Sequence, residues 1–99
     1  MNTGEGLRIM EAVGKSGLLT STESRAVAID LLMHVVRAPA LGPRPFQPAP
    51  NITAGCMDEV VRFFQKEIGW EVRCEVNDGR PMVKFNSESP RLHYPVTFH

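Results

Sequence analysis

The chain has 99 residues, of which 42% are hydrophobic and 22% charged, and its 11 basic side chains equal its 11 acidic ones. Length and composition predict one ordinary globular domain over residues 1–99, and the charge balance argues against a polybasic membrane binder or a nucleic-acid coat. Because there is no apolar run of about 18 residues and no signal sequence at the N-terminus, we expect a cytoplasmic protein without a membrane span.

The first predicted helix covers residues 3–15. Its start can be capped by Asn2 or Thr3, and Gly14 and Gly17 mark its end. Charged side chains lie mainly on one side of this helix. The other side is predicted to hold Leu7, Ile9, Met10, Val13 and Gly14.

The second predicted helix, residues 22–37, is apolar over most of its circumference, and residues 20–23 offer a capping box for its start. Its narrow polar stripe consists of Glu23, Asp30, His34 and Arg37. A helix of this kind is usually central and packed on several sides, which we favour here. The alternative is a homodimer, or a docking surface for a partner, through helix 22–37.

Asp30 and His34 lie one helical turn apart, a spacing at which a carboxylate can orient an imidazole. Such pairs serve general-base catalysis, but they also occur often on solvated helix faces. No motif ties a Ser, Cys or Lys nucleophile to this pair. The pattern therefore favours a structural interpretation.

A proline-rich strap is predicted at residues 38–53, because residues 38–50 hold five of the eight prolines. We expect an extended polyproline II path over the surface, with Leu41 and Phe46 inserted into the core. The alternative is that residues 45–48, a PxxP pattern, bind an aromatic-lined groove. Connections of this length without regular structure are often functional or mobile.

The best-specified stretch runs from Thr53 to Phe85. Helix 54–68 is amphipathic, with Thr53 as its cap and Gly69 as its left-handed stop. The pattern then alternates with the period of a strand, and Asp78-Gly79 favours a type I′ turn. We therefore expect a hairpin over residues 70–86, whose apolar face rests on helix 54–68.

Pairing Asn77 with Arg80 across the turn fixes the register of this hairpin. The register then pairs Val72 with Phe85, Cys74 with Val83 and Arg73 with Lys84. Trp70, Val72, Cys74 and Val76 belong to the predicted apolar face. The like charges of Arg73 and Lys84 carry a small cost unless Glu71 and Glu75 screen them.

Residues 91–98 alternate again and predict a third strand at an edge, since Pro95 cannot donate to a ladder. That edge offers a second route to a homodimer or to another chain. Cys56 and Cys74 are expected to be small buried side chains, and with His34, His93 and His99 they make no zinc-binding spacing.

The order of elements predicts an α+β domain with about three helices on one face of a small antiparallel sheet, the hairpin plus an edge strand. There is no phosphate-binding glycine loop, nucleophile elbow or metal-ligand cluster in the sequence, so we expect no enzyme activity, no cofactor and no metal.

The sequence therefore favours a small protein-binding regulator or inhibitor that occupies a partner's surface, of the compact kind that phages and other mobile elements encode. Candidate partner-binding residues are Arg62, Lys66, Arg73, Lys84, Phe46 and Arg44. The alternative is a winged-helix-like nucleic-acid-binding protein that uses helix 54–68 and hairpin 70–86. A net charge near zero disfavours that alternative, because phosphate contacts dominate such binding.

Overall fold

The computed structural model describes residues 3–38 and 44–85 and has an α+β fold, which confirms the predicted class. The helices are α1 (Thr3–Lys15), α2 (Thr22–Val36) and α3 (Ala54–Phe63), and α3 continues into a π-helical turn at Phe64–Ile68. Strands β1 (Val72–Asn77) and β2 (Arg80–Phe85) form an antiparallel hairpin. Leu41 and the predicted edge strand at residues 91–98 lie outside the described residues.

Helix α1 is amphipathic over the predicted span, but its buried face is narrower than predicted. Ile9 and Val13 are buried, whereas Leu7 is 62% exposed and Met10 41% exposed. Helix α1 packs mainly on α2, and a single row of side chains four residues apart covers that contact. The prediction that Leu7 and Met10 face the core is therefore wrong.

Helix α2 begins at Thr22 as predicted, but its capping box lies one residue later than predicted, at residues 21–24. Ser21 is the N-cap, and its hydroxyl accepts a hydrogen bond from the Ser24 backbone amide at 3.0 Å. In return, the Ser24 hydroxyl accepts a hydrogen bond from the Ser21 backbone amide. Thr20 instead bonds α3, because its amide and hydroxyl both donate to the Glu59 carboxylate, at 2.9 and 2.7 Å. This pair of bonds fastens the α1–α2 connection to α3.

Helix α2 is the central helix, since it contacts both α1 and α3. Its apolar side chains fill the core: Val27, Ala28, Leu31, Leu32 and Val35 are buried. This confirms the predicted burial within the monomer. Asp30 and Arg37 are exposed, and Met33 and His34 are half-buried, so the polar stripe faces a groove rather than the core.

Helix α3 begins and ends as predicted, but its last turn is wider. Thr53 caps its start by accepting from the Cys56 amide at 3.1 Å, and Gly69 ends the π-helical turn with φ = 87°. The amides of Gly69 and Trp70 both donate to the Phe64 carbonyl at 2.9 Å. A π turn adds one residue to the helical repeat, and nothing in the sequence predicted it here.

The π turn orients three aromatic side chains into one buried cluster. Phe63 and Phe64 are consecutive, yet both are fully buried, and their rings meet edge to face at 5.0 Å. Trp70, 2% exposed, stacks on Phe64 with ring centroids 4.7 Å apart. Pairs of this geometry stabilise a core by about 0.5–1.5 kcal/mol beyond the area that they bury.

The hairpin has the predicted register and turn. Asn77 pairs with Arg80 and Cys74 with Val83, and both turn residues, Asp78 (φ = 54°) and Gly79 (φ = 76°), have the positive φ of a type I′ turn. Only the base of the hairpin is buried, through Trp70, Val72 and Val83.

The predicted burial of the hairpin tip is wrong. Cys74 is exposed and Val76 is 68% exposed. The strands extend beyond the region that α3 covers. Apolar and polar residues therefore continue to alternate in the sequence where the apolar side chains are no longer buried.

In the described part of the strap, residues 44–53, Phe46 forms a bridge to the sheet. Phe46 pairs with Val83, and each amide donates to the other's carbonyl oxygen at 2.8 Å. The Phe46 side chain is buried, which confirms its predicted insertion into the core. Phe46 therefore lies beside β2 on the side away from β1.

Replacing Gly69 tests the left-handed stop. A Cβ at this position would meet nothing within 4 Å, so Gly69→Ala should lower the free energy of unfolding only through its backbone conformation, by about 1 kcal/mol. Gly55→Ala, inside α3 and equally unobstructed, is the matched control and should raise stability by about 0.5 kcal/mol. Urea denaturation measures both, and equal effects would contradict the assignment.

Glu59 gives a pH-dependent test of the α1–α2 connection. Hydrogen bonds from the Thr20 backbone and then from its hydroxyl hold the pKa of Glu59 below its ordinary value. Such a carboxylate stabilises the fold above its unfolded-state pKa, and the effect is lost as the pH falls through the folded-state pKa. We expect Glu59→Gln to lower the free energy of unfolding at neutral pH, with the difference disappearing in acid.

The matched control for Glu59 is Glu11→Gln, which removes an exposed carboxylate 3.8 Å from Lys15. Surface pairs of this kind contribute little. Denaturant titrations across the acid range should therefore show the pH-dependent loss for Glu59→Gln alone. The same pH profile in both variants would contradict the assigned role of Glu59.

Candidate functional site

A cleft of about 550 Å³ lies between α2 and strap residues 44–52, and we refer to it as the strap cleft. Its apolar lining includes Val27, Met33, Phe46, Pro48 and Ile52. Its polar lining includes Asp30, His34, Arg37 and Arg44. A volume of this size falls in the range of ligand sites, roughly 300–1,000 Å³, which combine an apolar lining with a few polar groups.

The cleft follows from the sequence of α2 and of the strap. Val27, Asp30, His34 and Arg37 recur every three or four residues and therefore share one face of α2. Pro45, Pro48 and Pro50 keep strap residues 44–52 out of a helix opposite that face, because proline cannot continue a helix. The strap is tied to β2 at Phe46 and so leaves a gap beside α2.

His34 joins three elements at one end of the cleft. Its Nε2 lies 2.7 Å from the carbonyl oxygen of Arg44, and since a carbonyl only accepts, Nε2 carries the hydrogen. The imidazole also contacts the Phe46 ring edge to face, with ring centroids 5.4 Å apart, and stacks on the Phe85 ring, with ring centroids 6.1 Å apart. His34 therefore connects α2 to the strap and to β2.

Asp30 does not orient His34 in this arrangement. Within residues 3–38 and 44–85, no hydrogen bond or ion pair joins the two side chains, and the histidine bonds the strap carbonyl instead. The Asp–His spacing that the sequence presented therefore reflects the shared helix face. Asp30 remains at the wall of the cleft as an exposed carboxylate.

The six predicted partner-binding residues fall into three pairs. Arg44 and Phe46 line the strap cleft, although only 8% of Phe46 is exposed. Arg62 and Lys66 lie one turn apart on the exposed side of α3 and its π turn. Arg73 and Lys84 are cross-strand neighbours on the face of the hairpin opposite Val72 and Val83.

Glu75 pairs with both Arg73 and Lys84 and offsets one of their two positive charges. Its carboxylate accepts from Arg73 Nε at 2.6 Å and lies 2.9 Å from Lys84 Nζ. The bonds from Lys84 and then from Arg73 lower the pKa of Glu75. The predicted screening of this like-charge pair is confirmed for Glu75, and it leaves less positive charge for a partner.

Sequence reasoning missed two charged residues of the cleft. Asp30 was considered only as part of the polar stripe and as a possible partner of His34, and Arg37 only as part of the stripe, so neither was predicted to bind a partner. The available signal was their spacing from His34 on a helix followed directly by a proline-rich segment, which predicts that the stripe faces the strap.

The thiols have no activated character. Burial raises the pKa of Cys56, with Glu23 and Glu59 adding to the shift, and partial desolvation raises the pKa of Cys74. A thiol with a raised pKa is a weak nucleophile near neutral pH. The prediction that Cys74 is buried is wrong, because it lies on the exposed part of β1.

The described residues contain neither a metal-binding cluster nor a membrane-spanning helix. No group of three or more His, Cys, Asp or Glu side chains in that part of the chain is arranged to hold a metal ion. Among the helices of the same residues, none has the length and apolar character needed to cross a membrane. Comparison of the chain with protein-family models, curated proteins and solved structures finds no significant match.

His34→Phe tests the connection between α2 and the strap. It keeps an aromatic ring beside Phe46 but removes the bond to the Arg44 carbonyl, which should cost about 1 kcal/mol. We expect the Phe46 amide to exchange with solvent about fivefold faster, which amide hydrogen exchange by NMR can measure. Arg37→Ala, which changes the same cleft without removing this bond, should leave that rate unchanged. Equal rates in both variants would contradict the role of His34.

Proposed function

We propose that the protein is a small binding module that holds a segment of a partner protein in the strap cleft and acts as a regulator or inhibitor by occupying that partner. The observation that supports this proposal is one cleft that combines an apolar lining with charged side chains that form no ion pair with any described residue. Peptide-binding grooves use this combination, in which apolar pockets give affinity and placed polar groups give orientation.

The charges of the cleft indicate what the partner segment contains. Arg37 and Arg44 are both exposed, and within the described part of the chain neither forms an ion pair. A guanidinium group pairs well with a carboxylate, often through two parallel bonds. We therefore expect a partner segment with an acidic side chain next to an apolar one.

The apolar part of the segment would lie against the strap. Phe46 and Pro48 are buried in the wall of the cleft, so they shape it with little rearrangement, while Met33 and Ile52 are half-buried. A wall that is already formed reduces the entropy cost of binding. Met33 is flexible enough to adapt to different apolar side chains.

Selection of peptides from a displayed random library against the purified protein tests this function. We expect selected peptides to combine acidic and apolar residues, and their affinity, measured by fluorescence anisotropy, should fall at least tenfold in the double variant Arg37→Glu, Arg44→Glu. The matched control is Arg62→Glu, Lys66→Glu, which makes the same change of net charge on α3. It should leave the affinity unchanged.

Two outcomes would count against the proposal. One is a selection that yields no binding peptide, and the other is a set of peptides that lose affinity equally in both double variants. The nucleic-acid alternative predicts the opposite pattern, namely a salt-dependent gel shift that Arg62→Glu, Lys66→Glu abolishes. That alternative has weaker support because Glu75 already pairs with Arg73 and Lys84 and offsets one of their two positive charges.

A further inference from the structure

At alternate residues of β1, the backbone amide and carbonyl groups point away from β2. Val83 exchanges both of its backbone hydrogen bonds with Phe46, so they point away from β1. In an antiparallel ladder the residue opposite, Cys74, then points its own amide and carbonyl away from β2. By alternation, Val72 and Val76 do the same.

The two edges of the hairpin differ in how they are closed. On β2, Pro81 has no amide hydrogen to offer and Val83 is paired with the strap. On β1, the Gln65 side-chain amide donates to the Val72 carbonyl at 2.6 Å. In the described part of the chain no residue pairs with the outward backbone groups of Cys74 and Val76, and both side chains are exposed.

We propose that a second copy of this chain pairs with the β1 edge, antiparallel and with Cys74 of the two copies opposite each other. The two hairpins then form one four-stranded sheet across a two-fold axis. This assembly uses the hairpin and does not depend on the strap cleft.

The side chains select this register. With Cys74 on the two-fold axis, Arg73 of each copy lies opposite Glu75 of the other copy. These opposite charges stand on the face where Arg73 and Glu75 already alternate along one strand. Shifting the register by one residue on each chain would place Glu75 opposite Glu75, a like-charge pair that disfavours it.

The apolar face agrees with the same register. Val76, 68% exposed in the single chain, would lie opposite Val72 of the second copy and lose much of its contact with water. The Val72 carbonyl can accept a second bond beside that from Gln65, because a carbonyl oxygen has two lone pairs. An open strand edge without proline or a bulge is the usual route to pairing between chains.

Sedimentation velocity over a range of protein concentrations tests the assembly. The wild type should shift from monomer to dimer as concentration rises, whereas Val76→Pro should stay monomeric. Proline at this position removes only an outward-facing amide, so the hairpin keeps its internal bonds and the variant should unfold as the wild type does. Val76→Thr, which keeps the amide and the branched side chain, is the control and should still dimerise.

Disulfide formation tests the register. Oxidised glutathione, which takes up the two thiol hydrogens, should link two chains through Cys74, because facing residues in such a ladder lie about 5.5 Å apart at Cα, within disulfide range. Cys74→Ser should abolish the link. In the double variant Cys74→Ser, Asn77→Cys the two new thiols would be roughly 20 Å apart, at about 3.4 Å per residue, and should not link.

A wild type that stays monomeric at every concentration would overturn the proposal. So would a dimer that survives Val76→Pro, or one that links as fast through position 77 as through Cys74. The strap-cleft function would be unaffected by any of these results.

Discussion

The stacking of Trp70 on Phe64 determines where the hairpin lies relative to the helices. The amides of Gly69 and Trp70 donate to the Phe64 carbonyl. Phe64 therefore holds the start of the hairpin both through its backbone and through the stacking of its ring on Trp70. Val72 and Val83 then fall on α3, and the outward edge of Val83 is presented to Phe46. The position of the strap, and with it the strap cleft, follows from this contact.

The two edges of the hairpin give the molecule two different surfaces. The β2 edge is paired with the strap at Val83 through Phe46, and His34 on α2 bonds the strap through the Arg44 carbonyl. On the β1 edge, no residue within 3–38 and 44–85 pairs with the outward backbone groups of Cys74 and Val76. One hairpin thus supports a cleft for a partner segment on one side and a pairing edge on the other.

Much of this fold could be predicted from the sequence because its signals are local. Thr53, Gly69 and Asp78-Gly79 each determine a cap or a turn through their own conformational preferences, and the register of β1 and β2 follows from the turn. The π turn could not be predicted, since it depends on how Phe63, Phe64 and Trp70 pack together. Sequence periodicity shows which face of a strand is apolar, but it does not show how far along the strand α3 covers that face. For this reason periodicity wrongly predicts that Cys74 and Val76 are buried.

The site was predicted less well than the fold because it arises from contacts between distant residues. Arg44 and Phe46 could be predicted as binding residues from the strap sequence. Their position beside Asp30 and Arg37, however, depends on the pairing of Phe46 with Val83, which no local sequence signal predicts. The most direct test of the account is amide hydrogen exchange at Phe46 and Val83 in Trp70→Leu. If the aromatic stack positions the sheet and the strap, both amides should exchange faster while those of α1 keep their protection. Unchanged exchange at Phe46 and Val83 would contradict it.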